Sequence, residues 1–266
     1  METFSTKIGT YNINYSRRAD GDFGAYHWSN RSKHVYKLMN EIDASFWCIQ
    51  EIHQDNIGEF TETMKNHHWH IQPQNSRGGK LTSIAIGVKK DHDISDIEWI
   101  TYNFNQHHQI GEIVVGCIIK SIKLLVVSVH FPMDLDARKS MVEHFKNFLK
   151  LYTYEYLVIT GDFNSFPDGW GYQQIPLLNA MCSTYSASEF AMHKSNNTYA
   201  KHSFNPYPYD VVPEKSLKMV GKLDHVLVKN LCVKPDTEII VHDDYIPNTM
   251  INPSDHYPMS ATLIGF

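Results

Sequence analysis

The chain lacks several features that define other classes of protein. It has four cysteines among 266 residues, scattered and without a CxxC pair, which argues against a disulfide framework or a zinc-binding domain. No apolar run approaches the roughly 18 residues of a membrane span, and the first residues lack the charged start and apolar core of a signal peptide. We therefore expect a cytoplasmic protein with buried, reduced thiols and no integral membrane segment.

An excess of positive charge is also missing. The chain has 24 Lys and Arg against 29 Asp and Glu, which gives a formal net charge of −5. Domains that hold nucleic acid by bulk electrostatics are usually basic, so this balance argues against that mode of binding but permits a local basic rim around an acidic site. With 42% hydrophobic residues and no internal repeat or linker, we expect a single domain over residues 1–266.

Segments with strand character outnumber those with helical periodicity. Amphipathic helices are predicted over Asn30–Glu41 and Asp136–Tyr152, and Ser29 and Asn30 are candidate caps for the first. The two-residue connection Ser121-Ile122 predicts an antiparallel hairpin. This pattern indicates an α+β fold with two stacked sheets flanked by helices. The predicted strands are Lys7–Asn14, Phe46–Glu51, Ser83–Val88, Ile113–Lys120, Lys123–His130, Tyr156–Thr160, Leu223–Val228 and Ser260–Gly265.

Two motifs place polar side chains next to predicted strands. Gly161-Asp162-Phe163-Asn164 follows the apolar run Tyr156–Ile159, and Ser254-Asp255-His256 precedes the last apolar segment. If the first motif is extended, Asp162 and Asn164 lie on one face, because side chains repeat every two residues. Gly-Asp and Asn-Ser pairs also favour a turn. Carboxylate, amide and imidazole groups that converge at strand ends suit phosphoester hydrolysis with a hard cation.

Four further motifs lie at predicted strands, and together the six resemble a known family. The four are Thr10-Tyr11-Asn12-Ile13, Ile49-Gln50-Glu51, Ser128-Val129-His130 and Leu223-Asp224-His225-Val226. In this order, the motifs resemble those of the endonuclease/exonuclease/phosphatase superfamily, which includes deoxyribonucleases, deadenylases, inositol polyphosphate 5-phosphatases and neutral sphingomyelinases. The resemblance covers essentially the whole chain. It implies a four-layer αββα sandwich of two mainly antiparallel sheets.

The resemblance also implies a metal site. Mg²⁺, with Mn²⁺ as an alternative, would be bound by Glu51 as the principal ligand, together with Asn12 and Asp255. Asp255 would also hold the tautomer of His256. Taken alone, Glu51 could equally be a solvated acid at a strand end, and Asn12 a buried amide that ties two strands together.

The resemblance implies catalytic roles for five residues. Asp162 would orient and deprotonate the attacking water, and Asn164 would donate hydrogen bonds to the phosphoryl oxygens. His130 and His256 would contact phosphate or move protons, and Asp224 would associate with phosphate or metal. A lone histidine at a strand end is more often structural, so the role of His130 depends on the other motifs.

The sequence defines the substrate less well than the chemistry. The segment GDFNSFPDGWGY resembles a motif of deadenylase-like members but departs from it at Gly169-Trp170. We rank first a phosphodiesterase or nuclease that acts on nucleic acid or a nucleotide. A phosphomonoesterase on a phosphoinositide or another phosphorylated small molecule ranks second. A non-catalytic binding module on the same fold ranks third.

Several segments outside the six motifs carry expectations of their own. His67-His68-Trp69-His70 is expected to be a surface loop rather than a metal site. Residues 185–222 are expected to form a long irregular loop. Basic residues near predicted loops are candidates for binding further phosphates of a substrate, with ordinary surface charge as the alternative. They are Arg17, Arg18, Arg77 and Lys80, followed by Arg31 and Lys33.

Overall fold

The computed structural model describes residues 4–14, 28–75, 81–104, 113–132, 134–164, 191–192, 224–234, 240–242, 253–254 and 256–266. Two β-sheets and three α-helices account for most of this part of the chain. Among its helices, none has both the length and the apolar character that crossing a membrane requires.

The first sheet joins strands from both ends of the chain. Its described strands are β1 (Phe4–Asn12), β2 (Phe46–His53), β3 (His67–Asn75), β4 (Leu81–Lys89), β11 (Leu231–Val233), β12 (Ile240–Val241) and β13 (Met259–Gly265). The order is β11-β13-β1-β2-β4-β3, and β12 also pairs with β13. β1 runs parallel to β2 and antiparallel to β13, so it lies in the middle of the sheet.

The second sheet is formed by the middle of the chain. Its described strands are β5 (Ile97–Asn103), β6 (Ile113–Ile119), β7 (Leu124–His130), β8 (Tyr156–Asp162), β9 (Ala191–Met192) and β10 (Asp224–Lys229), in the order β5-β6-β7-β8-β10-β9. Only the β7–β8 pair in this order is parallel. The predicted hairpin is confirmed, because β6 and β7 pair antiparallel. Its predicted two-residue connection is wrong: the turn spans Lys120 to Lys123, and Lys123 has φ +50°.

Three helices flank the sheets. They are α1 (Trp28–Ile42), α2 (Ile57–Thr63) and α3 (Leu135–Leu149). The predicted caps of α1 are wrong, because the helix already begins at Trp28. The side chain of Asp134 caps α3 by accepting a hydrogen bond from the Ala137 amide at 2.8 Å. Helix α2 was not predicted, since its seven residues are too few for a clear apolar stripe.

Three apolar layers separate the two sheets and the helices. Val35 of α1 packs with Trp47 on the outer face of the first sheet. Val126 belongs to the core between the sheets. Phe148 of α3 packs with Leu157 on the outer face of the second sheet. Burial of each such side chain contributes about 1.5–3 kcal/mol. The layers confirm the predicted αββα sandwich.

The segment from His67 to His70 is part of a strand, so the predicted loop is wrong. β3 pairs with β4 from His67 opposite Lys89 to Asn75 opposite Leu81. Trp69 lies over Gly87, where a Cβ would come within 2.5 Å of its ring. Burial lowers the pKa of His67, whose Nε2 lies 2.9 Å from the carbonyl oxygen of Ala44. Consecutive polar residues concealed the strand, because they interrupt the alternation that marks one.

Candidate active site

Alternation along the strands places the predicted catalytic residues between the two sheets. Val126 of β7 lies in the core between the sheets, so His130, four positions later, faces the same way. Val158 of β8 likewise sets the direction of Asp162. The pairing register puts His130 next to Asp162 on one side and Asp224 of β10 next to it on the other. Three predicted residues therefore meet on adjacent strands of one sheet.

A bulge in β2 brings an acid from the opposite sheet to the same place. The register between β2 and β4 shifts between Ile49 and Ile52. Glu51, inside this bulge, has φ +63°, in the left-handed region that residues other than glycine rarely adopt. Such a conformation costs about 1–2 kcal/mol and persists only where surrounding structure imposes it. The bulge interrupts the alternation of β2 and turns the Glu51 carboxylate toward Asn12.

The buried Asn12 side chain connects carboxylates of the two sheets. Its Nδ2 donates to Glu51 Oε1 and to Asp162 Oδ2, both at 3.1 Å. Its Oδ1 accepts a hydrogen bond from the Asn14 amide at 3.0 Å. The amide therefore orients Asp162 and ties β1 to both partners, as one interpretation of the sequence expected. Its role as a metal ligand stays a prediction.

Asn164 reaches Asp162 through a turn. Strand β8 ends at Asp162, and Asn164 lies beyond it with φ +48°. The backbone amide of Asn164 donates to Asp162 Oδ1 at 2.7 Å, which forms an Asx-turn. Its Nδ2 donates to the Phe131 carbonyl oxygen at 2.7 Å and to Asp162 Oδ2 at 3.4 Å. The extended interpretation of this motif is therefore wrong, although the two side chains do meet.

Two imidazoles converge on the carboxylate of Asp162. His256 Nδ1 donates a hydrogen bond to Asp224 Oδ2 at 2.7 Å, and His256 Nε2 lies 3.7 Å from Asp162 Oδ2. His130 Nε2 is 3.7 Å from the same oxygen and 3.8 Å from Glu51 Oε1. Ligand atoms of Asp162, Asp224 and His256 lie within 4.8 Å of one another, close enough to hold one metal ion. The site can thus bind cations, orient water and exchange protons.

A group of buried polar side chains connects the two sheets near this site. No role for them was predicted from the sequence. Gln50 Nε2 lies 3.3 Å from Ser128 Oγ in the opposite sheet and 3.5 Å from Thr10 Oγ1. Burial raises the pKa of the Cys48 thiol, two positions before Gln50, to about 12. Polar residues on the inward face of apolar strands were the signal that could have identified this group. The expectation of buried, reduced thiols holds for Cys48 and Cys117.

Gly161 permits β8 to approach β7 closely at the site. Its φ is +144°, and a Cβ there would lie 2.0 Å from the carbonyl oxygen of Val129. Neither backbone can shift without displacing Asp162. We therefore expect Gly161→Ala to lower the free energy of unfolding by about 3 kcal/mol or more, measured by urea unfolding.

Gly58→Ala is the matched control for this substitution. Gly58 lies in α2, and an added Cβ would meet no heavy atom within 4 Å. The control should raise the free energy of unfolding by about 0.5–1 kcal/mol, because alanine is the better helix former. Similar small effects at both glycines would contradict the close approach of β7 and β8.

Several predicted site residues and segments lie outside the described residues. They are Asp255, Arg17, Arg18, Arg77 and Lys80, together with all of the predicted loop 185–222 except β9. The proposed roles of these residues stay predictions. The structure does bring together Asn12, Glu51, His130, Asp162, Asn164, Asp224 and His256.

The fold and this site agree with the comparisons to known proteins. Residues 9–256 match the family model described as the endonuclease/exonuclease/phosphatase family. The chain therefore belongs to this family, whose members are phosphoester hydrolases. Among curated proteins, no sequence matches the chain significantly.

Solved structures of the same fold cover nearly the whole chain. An endonuclease/exonuclease/phosphatase from Bacteroides vulgatus superposes with a TM-score of 0.71 at 16% identity, over 98% of each chain. TDP2 from D. rerio, complexed with a single-strand DNA product, gives 0.68 at 11% identity, over 97% of this chain and 98% of that one. A mannosyl-6-phosphatase from Bacteroides thetaiotaomicron gives 0.64 at 18%, over 97% and 99%. At these identities the likeness concerns the fold alone.

Proposed function

We propose that this protein is a metal-dependent phosphoester hydrolase in which an activated water attacks phosphorus. The observation that carries the proposal is the convergence of carboxylates and imidazoles from both sheets on Asp162. Its Oδ2 accepts from Asn12 at 3.1 Å and faces His130 and His256 at 3.7 Å. Family membership supports the same reaction class.

The donor atoms at the site fit a hard divalent cation. Carboxylate oxygens from Glu51 and Asp162 hydrogen-bond one amide nitrogen, each at 3.1 Å, so two anionic groups lie close together. Oxygen ligands without a thiolate favour Mg²⁺, or Mn²⁺, over zinc. We propose Glu51 as the principal ligand, with Asn12 and Asp255 beside it. A cation bound there would polarise a phosphoryl oxygen and lower the pKa of bound water.

Two members of the Asp162, Asp224 and His256 group have a proposed role other than metal binding. Asp224 Oδ2 and His256 Nδ1 already form a hydrogen bond at 2.7 Å, so these atoms serve each other. We therefore propose that Asp224 holds the tautomer of His256, a task that the sequence had given to Asp255. His256 Nε2 is then directed at the phosphoryl group, where it binds an oxygen or transfers a proton.

The remaining residues position the nucleophile and the phosphate. We propose that Asp162 accepts the proton of the attacking water. The backbone amide of Asn164, which donates to Asp162 Oδ1 at 2.7 Å, fixes the orientation of this carboxylate. His130, across from His256, contacts a second phosphoryl oxygen or assists the leaving group. Asn164 Nδ2 donates to the Phe131 carbonyl and to Asp162, so donation to phosphate would require it to exchange one of these partners.

For the substrate we propose first a phosphodiester of a nucleic acid or nucleotide. The solved complex of TDP2 with single-strand DNA, which shares this fold, supports that ranking. The mannosyl-6-phosphatase of the same fold favours the second candidate, a phosphomonoesterase on a phosphoinositide or another small phosphorylated molecule. A non-catalytic binding module ranks third, because residues of every catalytic type converge.

A substrate panel tests this ranking with one preparation and Mg²⁺. We expect cleavage of single-stranded RNA or 3′-blocked DNA, and no release of inorganic phosphate from an inositol polyphosphate or mannose 6-phosphate. Phosphate release without cleavage of nucleic acid would establish the second candidate. Turnover of none of these substrates would contradict the proposed function.

If a polynucleotide is cleaved, basic residues should hold its further phosphates. We propose Arg17, Arg18, Arg77 and Lys80 for this role. Their replacement by glutamine should raise KM and reduce its dependence on salt, by a slope of roughly 0.7 for each lost phosphate contact. The value of kcat should change little, because remote phosphates are bound equally in the ground and transition states.

A further inference from the structure

Arg31 is a buried cation next to the site. Its side chain was a candidate for binding substrate phosphate, but only 3% of the residue is exposed. Nη1 donates to the carbonyl oxygen of Ile13 at 3.2 Å and to that of Pro253, and Nη2 donates to that of Asn14 at 2.6 Å. The guanidinium also lies 5.5 Å from the ring centroid of Trp28. These three hydrogen bonds are therefore to backbone carbonyl groups of the protein itself.

These carbonyl groups belong to two segments that carry site residues. Ile13 and Asn14 follow Asn12 directly, and Pro253 is three positions before His256. Ser254 joins the same two segments: its Oγ donates to the Asn12 carbonyl oxygen at 2.7 Å and accepts from the His256 amide at 3.3 Å. We call Arg31 and Ser254 the carbonyl clasp.

Helix α1 gives the clasp a rigid base. Val35 and Met39, one and two turns after Arg31, are fully buried against the first sheet. The planar fork of an arginine can address several carbonyl groups at fixed angles, which the single ammonium of a lysine cannot do. The clasp therefore fixes the position of His256 relative to Asn12, across a sequence separation that no local interaction spans.

We propose that Arg31 is a positioning residue that sets the placement of the His256 imidazole relative to Asn12 and Asp162. Its effect on turnover rests on the proposed function, whereas its effect on His256 does not. Displacement of a catalytic group by about 1 Å can cost roughly a hundredfold in rate. A residue that bound substrate phosphate would act on KM instead.

Kinetics of Arg31→Lys and Arg31→Ala test the proposal against Val35→Ala. The control removes buried volume from the same helix but no hydrogen bond to the site. At a temperature where all three variants are folded, we expect both Arg31 variants to lose about tenfold to a hundredfold in kcat, with little change in KM. Millimolar guanidinium should partly restore kcat to Arg31→Ala and not to Val35→Ala.

Two results of these kinetics would overturn the positioning role. One is a rise in KM with kcat preserved, which would assign Arg31 to substrate binding. The other is a loss of kcat that scales with the melting temperature equally in Arg31→Lys and Val35→Ala, which would make the clasp merely structural.

An NMR measurement tests the role of the carbonyl clasp independently of enzymatic activity. The Nδ1 proton of His256, hydrogen-bonded to Asp224, should give a downfield NMR signal that is absent in His256→Gln. We expect this signal to shift or broaden in Arg31→Lys and to stay unchanged in Val35→Ala. An unchanged signal in Arg31→Lys would overturn the proposal, even if the wild type proved inactive on every phosphoester tested.

Discussion

Removal of divalent cations is expected to abolish phosphoester hydrolysis by this protein, and added Mg²⁺ is expected to restore it. The physical reason is the acidic site itself, where Glu51 and Asp162 both accept a hydrogen bond from Nδ2 of Asn12. Two carboxylates would repel an anionic phosphate unless a cation offset their charge. The measurement is initial rate after EDTA treatment, followed by titration with Mg²⁺ and Mn²⁺. Full turnover in thoroughly chelated buffer would contradict the metal mechanism.

Glu51→Gln connects this dependence to the proposed ligand. The variant should need a higher Mg²⁺ concentration for half-maximal activity, because an amide oxygen is a weaker ligand for a hard cation than a carboxylate. Glu155→Gln is the matched control, since Glu155 is half exposed and pairs with Lys123 at 3.8 Å at the far end of β8. Loss of that surface ion pair should leave the Mg²⁺ concentration for half-maximal activity nearly unchanged. Equal Mg²⁺ requirements in the two variants would remove Glu51 from the metal site.

Asp162→Asn is expected to lower kcat by about a hundredfold or more, because an amide cannot accept the proton of the attacking water. The variant should remain folded, since its amide oxygen can still accept the hydrogen bond that Oδ1 accepts from the Asn164 backbone amide at 2.7 Å. The bonds that Oδ2 accepts from Asn12 and from the Asn164 side chain are lost. The measurement is kcat at saturating substrate and Mg²⁺, with circular dichroism to confirm folding. A folded variant with nearly normal kcat would show that another group takes the proton.

Asp96→Asn is the control for this loss of charge. Asp96 also accepts from a backbone amide, that of Ser121 at 2.8 Å, and from the Ser121 hydroxyl at 2.5 Å. Asp96 precedes β5 and contacts the β6–β7 turn, whereas His130 ends β7 at the opposite end of that strand. Replacement there should change stability slightly and leave kcat unaffected. A similar fall in kcat for both variants would point to a general loss of structure.

Six short motifs in order were enough to identify the family, and that resemblance implied the αββα architecture. Local patterns alone predicted two stacked sheets flanked by helices and the hairpin of β6 and β7. Alternation with a period of two indicates strands, and polar residues at the ends of apolar runs indicate functional groups at strand ends. The prediction failed where local signals were weak. Strand β3 carries consecutive histidines, and helix α2 has seven residues. Pairing with β4 and packing of Phe60 against Trp69 decided these elements.

By itself, the sequence determined which chemical groups this protein has and the order along the chain of the strands that carry them. Only the tertiary structure decided how the groups meet: the bulge at Glu51, the Asx-turn at Asn164, the pairing of Asp224 with His256 and the burial of Arg31. The left-handed backbone of Glu51 is locally unfavourable, so local propensity predicts against it. Asn12 bonds Asp162 and Ser254 across 150 and 242 positions. Contacts over such separations depend on how the two sheets stack, and no local pattern encodes that arrangement.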